Sequence, residues 1–404
     1  MPIDTADTSF ILISAALVLL MTPALAIFYG GLVRKKNVLN TIMISFITIA
    51  VVSIQWIFIG YSLSFGPDIG GFIGGLDWIG LNNVGLTPHD IYATTIPHQA
   101  FMVFQMMFAV ITAALITGAF VSRMKFKTFI IFTLLWTTLV YDPVAHWVWG
   151  AGGWLGGLGV LDFAGGLVVH VSSGVSALVV ALVIGKRKGL GVKSMEPHDI
   201  RLMVLGAGLL WFGWFGFNAG SALTSGSLAT SAFVVTQIAA SAGALSWMVM
   251  SWIRQKKPSV IGIATGAIAG LAAITPAAGF VGPMAAVVIG FVIGIVSFFA
   301  IEFKNKMGFD DALDVWAVHG VGGIWGALAL GLFANAAING VDGLFFGNAN
   351  QLLAQAFGIG VVCVYSVVVT FVILKVLDWT MGLRVNEKDE EAGLDISQHG
   401  ERIP

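Results

Sequence analysis

Two histidines lie in apolar segments of this sequence, and their side chains are the ones best suited to chemistry. His170 occurs in DFAGGLVVHVSSG, eight residues after Asp162, and His319 occurs in DVWAVHGVGGIWG, five residues after Asp314. A neutral imidazole offers one hydrogen-bond donor and one acceptor, so two facing imidazoles can share a proton between ring nitrogens. If the two segments meet in space, the pattern predicts a paired site that accepts or relays a proton.

The composition around these histidines is that of a membrane protein. Of the 404 residues, 57% are hydrophobic and 10% are charged, and the mean hydropathy is +0.92, which is outside the range of ordinary water-soluble domains. A net charge of -1 gives no indication of a nucleic-acid partner. Cys363 is the single cysteine, so neither a disulfide nor a cysteine metal cluster is expected.

Apolar stretches of about 20 residues, bounded by charged or turn residues, mark candidate membrane spans. We identify eleven such stretches, at 8–33, 40–64, 97–121, 127–147, 163–185, 199–219, 230–253, 259–277, 280–301, 313–334 and 351–380. The division between the eighth and ninth, at 276–279, is the least marked of them. The first stretch is expected to be a retained span and not a cleaved signal peptide, because Asp4 and Asp7 precede it in place of basic residues.

The positions of lysine and arginine fit this count. Fifteen follow the first, third, fifth, seventh and ninth spans, at Arg34, Lys35, Lys36, Arg123, Lys125, Lys127, Lys186, Arg187, Lys188, Lys193, Arg254, Lys256, Lys257, Lys304 and Lys306. The other five lie at the start of the sixth span, at the end of the eleventh or in the tail, at Arg201, Lys375, Arg384, Lys388 and Arg402. All twenty therefore fall on one side, which the positive-inside rule predicts to be cytoplasmic, with the amino terminus outside.

An odd number of spans divides into five, five and one. The first and sixth spans begin on opposite sides, so the two groups of five would form an inverted repeat of the kind common in transporters. We expect halves at 1–185 and 186–334, an outer loop and eleventh helix at 335–380, and a cytoplasmic regulatory tail at 381–404. His170 and His319 then lie on the fifth helix of each half and face each other inside the membrane.

Two other interpretations of the histidines remain open at this point. Either side chain alone could serve as a hydrogen-bonding contact between helices, donating to a backbone carbonyl. Alternatively, the two could be axial ligands of a haem in a membrane oxidoreductase. The haem interpretation is weak because the sequence has no second histidine pair, no quinone-site signature and no nucleotide-binding signature. We therefore expect no cofactor and no enzymatic activity.

Aromatic and hydroxyl side chains form helix-spaced patterns in neighbouring spans. Phe104 and Phe108 share one helix face in FQMMFAVIT, and Phe217 and Ser221 share another in WFGWFGFNAGSA. Trp149 lies at the outer end of the fourth span. Packing, contact with lipid and anchoring at the membrane interface are the usual roles of such residues. Together, however, a tryptophan, a phenylalanine and a hydroxyl can hold a small cation by cation-π attraction and one hydrogen bond.

Several of these segments resemble one known family. DFAGGLVVHVSSG, GWFGFNAGSA, AVHGVGG, PVAHWVWGAGGW and the tail GLRVNEKDEEAGLDISQHGE together resemble the ammonium transporter family, in its Amt branch rather than its Rh branch, over Thr8 to Glu401. The resemblance implies an all-α polytopic membrane protein of eleven transmembrane helices, an inverted five-plus-five repeat with one extra helix. It also implies a homotrimer with one pore in each subunit and a PII-type signalling protein that docks on the cytoplasmic face.

The resemblance also assigns roles to residues. It places Phe104, Trp149 and Ser221 in an outer site that recruits ammonium, Phe108 and Phe217 in a stacked gate beneath it, and His170, His319 and Trp214 in the pore. Asp162 matches an aspartate near the outer end of the fifth helix. Capping of that helix, with a long-range field on the cation, is favoured for Asp162 over direct contact with the cation.

An apolar pore of this kind has a physical rationale. Moving a bare ammonium ion into a low-dielectric lumen costs on the order of tens of kcal/mol, whereas neutral ammonia costs a few. Deprotonation is therefore the cheaper route, and potassium has no proton to release. The sequence leaves open whether the proton returns outside or follows the ammonia through the pore.

Overall fold

The structure, a computed structural model, describes residues 2–403 and is built almost entirely of helices. Within these residues, ten helical segments are long and apolar enough to cross a membrane, and Val260–Ile274 is a shorter apolar helix. The long segments are Thr5–Leu32, Lys35–Phe65, His98–Phe120, Phe126–Gly157, Gly166–Ile184, Ile200–Gly220, Ser227–Gln255, Pro283–Met307, Trp316–Phe333 and Ala349–Met381. With Val260–Ile274 included, the eleven predicted spans are found in the predicted order.

The helices are numbered here along the chain. They are α1 (Thr5–Leu32), α2 (Val38–Gln55), α3 (Tyr61–Phe65), α4 (His98–Phe120), α5 (Phe126–Trp136), α6 (Asp142–Trp149), α7 (Trp154–Gly157), α8 (Ser172–Ile184), α9 (Ile200–Gly220), α10 (Ser227–Gln255), α11 (Val260–Ile274), α12 (Pro283–Met307), α13 (Val321–Phe333), α14 (Ala336–Asn339), α15 (Ala349–Met381) and α16 (Glu387–Ala392). The predicted break between the eighth and ninth spans is confirmed, since α11 ends at Ile274 and α12 begins at Pro283.

Four of the spans contain a short π-helical turn. These turns are Trp56–Gly60, Thr137–Tyr141, Gly166–Val171 and Trp316–Gly320. The last two hold His170 and His319, so the two histidines occupy the same local conformation in the fifth and tenth spans. Such turns add one residue to a helical turn and are often found at functional sites, because they redirect a side chain out of the regular helical spacing.

The loops separate into two sides, as an eleven-span chain requires. On the side of the amino terminus, hydrogen bonds join Asp4 to Thr95, Asp7 to Ser225, Phe163 to Pro276, and Gln351 to Gly159. On the opposite side, hydrogen bonds or ion pairs join Arg123 to Asp310, Lys36 to Glu390, Lys125 to Met381, and Lys188 to Glu387. We refer to them as the N-terminal side and the basic side.

The N-terminal side carries a folded loop between α3 and α4. Strands β1 (Asp68–Ile69) and β2 (Ile73–Gly74) pair antiparallel, as do β3 (Pro88–His89) and β4 (Ala93–Pro97). A 3-10 turn at Ile79–Leu81 lies between the two hairpins. A second 3-10 turn, Leu344–Phe346, follows α14. The loop between α3 and α4 covers the ends of the spans that form the site described below.

Glycines allow the two histidine-bearing spans to approach closely. A Cβ atom on Gly174 would lie 2.1 Å from the backbone nitrogen of Gly320, and one on Gly323 would lie 2.7 Å from the carbonyl oxygen of Gly166 and 2.9 Å from the Cβ atom of His170. A side chain at either position would force the helices apart. These contacts explain the glycines of the two motifs by close packing of backbones, which is their usual role in membrane helices.

The tail is folded against the basic side of its own chain. Asp395 accepts a hydrogen bond from the backbone N–H of Asn40 (2.8 Å), and the backbone N–H of Leu394 donates to the side chain of Asn37 (2.9 Å). Within the tail, Glu390 is buried and pairs with Arg384 at 2.6 Å. Residues 382–403 are therefore a folded part of the basic side.

Candidate functional site

A cavity of about 290 Å³ opens on the N-terminal side, and we call it the N-side cavity. Four residues singled out from the sequence line it, namely Phe108, Trp149, Asp162 and Ser221. Its other lining residues are Phe65, Ile91, Tyr92, Phe101, Gln105, Val148, Val160, Leu161, Phe163, Leu223 and Phe280. The wall is thus mainly aromatic and apolar, with few polar groups, which suits a small cation held by ring faces.

Trp149 is held in place at the end of α6. Its indole N–H donates to the carbonyl oxygen of Asp162 at 2.7 Å, and its ring meets the ring of Phe108 edge to face with centroids 6.0 Å apart. The indole nitrogen is therefore already bonded, and the ring remains as the part of the side chain that lines the cavity. Anchoring at the membrane interface, the usual role of a tryptophan at the end of a span, does not by itself explain a ring that lines a cavity.

Beneath the cavity, Phe108 and Phe217 block the way into the protein. Their rings lie 4.2 Å apart with an interplanar angle of 31°. Phe104 does not line the cavity. It is fully buried and packs edge to face against Phe108, with ring centroids 4.9 Å apart. Phe104 thus supports the ring of Phe108 from behind.

Ser221 follows directly on the last residue of α9. Its hydroxyl donates to the carbonyl oxygen of Phe217 at 2.8 Å. A hydroxyl has one donor and two acceptor lone pairs, so the lone pairs remain free to accept a hydrogen bond from a ligand in the cavity. A cation with N–H groups fits this arrangement, because it brings donors only.

Asp162 caps the π-helical turn that carries His170. Its Oδ1 accepts from the backbone N–H groups of Gly165 (2.9 Å) and Gly166 (2.6 Å), and its Oδ2 accepts from those of Leu167 (2.7 Å) and Val168 (3.1 Å). Burial raises the pKa of this carboxyl, and the four N–H groups act against that rise. The carboxylate therefore uses its oxygens within the protein, as the interpretation of Asp162 as a helix cap requires.

His170 and His319 face each other directly, as predicted. Their Nδ1 atoms are 3.3 Å apart, their ring centroids are 5.2 Å apart and their planes are inclined by 24°. His170 also stacks on Trp214, with centroids 5.5 Å apart. One Nδ1 must donate and the other must accept, so at least one of the two rings is neutral. The Nε2 atom of His170 is buried and has no hydrogen-bond partner in the described part of the chain.

The contact between the two Nδ1 atoms tests the two alternative interpretations of the histidines, which were hydrogen bonds to backbone carbonyls and axial ligation of a haem. The Nδ1 atoms bond to each other, so the pair is not a set of two separate contacts to backbone carbonyls. A metal held between two imidazole nitrogens needs bonds of about 2.0 Å to each, which is more room than the 3.3 Å separation provides. The side-chain arrangement therefore does not fit axial ligation of one iron.

The histidines line a narrow apolar lumen. This lumen has a volume of about 20 Å³, and a water-sized molecule needs about 10–15 Å³ measured in the same way. Its lining residues are Met21, Leu25, Phe28, Ile111, Leu115, Val169, His170, Leu210, Trp214, Phe217, Ile268 and His319. The lumen therefore has room for about one small molecule, and the histidines are its only titratable side chains among the described residues.

A third cavity, of about 220 Å³, opens on the basic side. It shares Phe28, Ile268 and His319 with the lumen, and Asp314 lines its wall. The three cavities thus follow one another across the protein. The Phe108–Phe217 pair separates the first from the second, and the histidine pair lies between the second and the third.

The sequence analysis missed two residues of this site. Gln105 lines the N-side cavity, and its buried Oε1 has no hydrogen-bond partner within residues 2–403. Thr275 accepts the indole N–H of Trp214 at 2.9 Å and so fixes the ring that stacks on His170. Gln105 had a visible signal, since it is a polar residue between aromatic residues of a membrane span. Thr275 had none, because it contacts Trp214 from a different span.

Comparison with known proteins decides the family. A family model described as the Ammonium Transporter Family matches residues 9–403. This chain belongs to the ammonium transporter family. It is 54% identical to a protein named ammonium transporter from Bacillus subtilis (strain 168), over 98% of each chain.

Two solved structures have the same fold as this chain. Mep2 from Saccharomyces cerevisiae is 38% identical and superimposes with a TM-score of 0.90, over 96% of this chain and 89% of Mep2. A protein described as a sensor Amt protein is 30% identical, with a TM-score of 0.90 over 98% of each chain. The all-α polytopic architecture and the resemblance to the ammonium transporter family are therefore confirmed.

Proposed function

We propose that this protein conducts ammonium nitrogen across a cell membrane, by binding ammonium in the N-side cavity and passing ammonia through the lumen. The observation that carries the proposal is the succession of a cation-compatible aromatic cavity, a closed phenylalanine pair and an apolar lumen with two facing histidines. Membership of the ammonium transporter family supports ammonium as the substrate. The proposed activity is transport and not catalysis, so it forms no chemical product and requires no cofactor.

The N-side cavity supplies the recruitment step. The ring faces of Trp149 and Phe108 attract the cation, and the hydroxyl lone pairs of Ser221 accept one of its N–H groups. The unpartnered Oε1 of Gln105 can accept another. Phe104 contributes indirectly by supporting Phe108, and Asp162 contributes by holding Trp149 through its carbonyl oxygen.

Deprotonation follows from the apolar lumen. Beyond the rings of Phe108 and Phe217 the walls are hydrocarbon, where a bare cation costs on the order of tens of kcal/mol and ammonia a few. Because the Nδ1 atoms of His170 and His319 bond to each other, a neutral pair leaves one Nε2 as an acceptor and the other as a donor along the way. Because potassium cannot release a proton, it meets the full cost and is rejected.

The experiment that tests this function is current recording after ammonium jumps in sealed liposomes, together with uptake of labelled methylammonium. Uptake without current indicates that the proton returns to the N-terminal side, whereas uptake with current indicates that the proton follows the ammonia. Potassium jumps should give neither signal. Absence of uptake by folded, correctly inserted protein would contradict the proposal.

We expect replacement of Trp149 by leucine to weaken recruitment. The variant keeps an apolar wall but loses the ring face, so the half-saturating ammonium concentration should rise about 5- to 30-fold, corresponding to the 1–2 kcal/mol of a partly desolvated cation-π contact. Trp252→Leu is the matched control, because Trp252 is an exposed tryptophan near the end of α10. Equal half-saturation in Trp149→Leu and Trp252→Leu would remove the ring of Trp149 from the binding site.

The proposal extends to location and assembly. The lysine and arginine distribution supports an N-terminal side outside the cell and a basic side in the cytoplasm. Family membership supports a homotrimer with one pore in each subunit. It also supports docking of a PII-type signalling protein on the basic side, and the similarity to a sensor Amt protein is consistent with a regulatory partner there.

We expect loss of the tail to lower transport. Truncation after Gly382 removes the contacts of Asp395 and Leu394 with the loop that begins α2, together with the buried pair of Arg384 and Glu390. The basic-side ends of the spans then lose a shared support, so initial uptake should fall several-fold. Truncation after Gly400 is the control, because it spares these contacts. Unchanged uptake after Gly382 truncation would make the tail dispensable for transport.

A further inference from the structure

A buried histidine outside the pore is bonded at both of its ring nitrogens. His146 is three residues before Trp149 on α6 and is fully buried. Its Nδ1 lies 3.0 Å from the carbonyl oxygen of Ser64, and its Nε2 lies 2.9 Å from Oδ1 of Asp68. Ser64 belongs to α3 and Asp68 begins β1, so this one side chain ties α6 to the chain that leaves α3.

The segment that leaves Trp149 lies directly on this histidine and aspartate. The backbone N–H of Gly150 donates to the carbonyl oxygen of His146 at 2.9 Å. A Cβ atom on Gly150 would lie 2.5 Å from Nδ1 of His146, and one on Gly152 would lie 2.7 Å from the Cβ of Asp68. Gly152 also has a φ of +90°, which glycine adopts without strain. The last turn of α6 and the following loop are therefore shaped around the His146–Asp68 pair.

The two acceptors determine the protonation state of His146. A carbonyl oxygen can only accept, so Nδ1 must carry a proton to bond Ser64. The Asp68 carboxylate also accepts from the backbone N–H of Gly71, at 2.8 and 3.0 Å. The hydrogen bond to His146 lowers the pKa of Asp68, which keeps it ionised and able only to accept. Nε2 must therefore carry a proton as well, which makes His146 an imidazolium.

We propose that the imidazolium of His146, clamped between Ser64 and Asp68, is the positioning group that holds Trp149 in the N-side cavity. The indole of Trp149 can bond the carbonyl oxygen of Asp162 only if the last turn of α6 keeps its present place. His146 holds that turn by its bonds to Ser64 and Asp68. This inference rests on the proposed function, in which Trp149 recruits ammonium. The His146–Asp68 pair is a positioning device and touches no substrate.

The clamp depends on the ionisation of Asp68. Protonation of its carboxyl below its lowered pKa would break the bond to Nε2 of His146. Trp149 should thus be held less well at strongly acidic pH than at neutral pH. The other titratable groups on elements packed against α6, none of them hydrogen-bonded to His146, are Asp142 and Tyr141 at its start, Tyr61 of α3, and His170.

Asp68→Asn separates the charge from the geometry. An asparagine at this position can accept from Gly71 with its oxygen and donate to Nε2 with its amide group, so a neutral His146 with its proton on Nδ1 satisfies every partner. Asp68→Ala instead removes the partner altogether. The control is Asp77→Asn, because Asp77 is an exposed aspartate in the same loop between α3 and α4 and makes no bond to His146.

The first measurement is the ¹⁵N spectrum of the imidazole of His146 in the full-length protein in lipid, assigned with a His146→Gln variant. We expect protons on both ring nitrogens of the wild-type protein and of Asp77→Asn at about pH 7, and a proton on one nitrogen in Asp68→Asn. A singly protonated His146 in the wild-type protein at about pH 6 would overturn the inference. This readout does not depend on whether Trp149 binds ammonium.

The second measurement is half-saturation of methylammonium uptake at about pH 7. The half-saturating concentration should rise about fivefold in Asp68→Ala, since the charged hydrogen bond that holds His146 is lost. Asp68→Asn should stay close to the wild-type value because it keeps a bond to Nε2, and Asp77→Asn should match the wild-type protein. Wild-type half-saturation in Asp68→Ala would overturn the inference. If Trp149→Leu leaves half-saturation unchanged, the proposed recruitment site fails instead, whatever the spectrum shows.

Discussion

We expect His170→Ala and His319→Ala each to abolish ammonium-driven current in reconstituted liposomes while the protein stays folded. The Nδ1 atoms of the two histidines are 3.3 Å apart. The two imidazoles are the only titratable side chains that line the lumen within the described residues. Alanine at either position removes one partner, so the remaining imidazole has no neighbouring group in the lumen to which it can pass a proton. Ammonia still fits, because the substitution widens the lumen, so any remaining uptake should be electrically silent.

The control for this experiment is His198→Ala. The hydrogen bond of His198 to Val33 is made by its backbone N–H, so it survives the substitution, and the residue lies outside the three cavities. Current should therefore be kept in the control, and the elution volume and thermal unfolding of all variants should match. Full wild-type current from both pore variants would reduce the histidine pair to a packing contact between spans.

Acidic replacements at the same positions should change selectivity. Asp or Glu in place of His170 or His319 puts a counter-charge into an apolar lumen, which lowers the cost of admitting a bare cation. Potassium should then compete with ammonium and carry current of its own. Current that remains specific for ammonium in these variants would show that the lumen rejects potassium by size or by the phenylalanine pair alone.

The facing histidines could be predicted because their arrangement follows from topology. Two similar motifs on the fifth and tenth spans, entering from opposite sides, must meet near the middle of an inverted repeat. The eleven spans followed in the same way from apolar length and from the lysine and arginine pattern. In these cases the prediction depends on the length of apolar stretches, the positions of charged residues and the order of motifs. All three can be read from the sequence without knowing how the helices pack.

Other features depend on contacts that the sequence does not record. The bond of Trp214 to Thr275 and the bond of His146 to Asp68 each join residues on different elements, and nothing in either local segment indicates its partner. The buried position of Phe104 behind Phe108 is of the same kind, because helical spacing gives the shared face but not which ring lies nearer the cavity. The π-helical turns also escape prediction, since apolar periodicity is too coarse to show one extra residue in a turn.

We expect Asp162→Ala to be the most destabilising single substitution at the site. It leaves four backbone N–H groups of the turn 165–168 without acceptors in a buried region, at about 1–3 kcal/mol each before relaxation. The carbonyl oxygen that holds Trp149 and the turn that holds His170 then lose their common support. Thermal unfolding in detergent should shift strongly downward, and methylammonium uptake should fall at least about tenfold.

Asp162→Asn separates capping from the effect of the charge. The amide oxygen of asparagine can accept from two of the four N–H groups, so capping predicts stability and uptake between those of the wild-type protein and Asp162→Ala. If Asp162 acts instead through its field or by direct contact with ammonium, Asp162→Asn and Asp162→Ala should raise the half-saturating ammonium concentration equally, because both remove the charge. The control is Asp90→Asn, which neutralises an exposed aspartate of the loop between α3 and α4. Wild-type stability with lost ammonium affinity in Asp162→Asn would contradict capping, since both carboxylate oxygens are already occupied by backbone N–H groups.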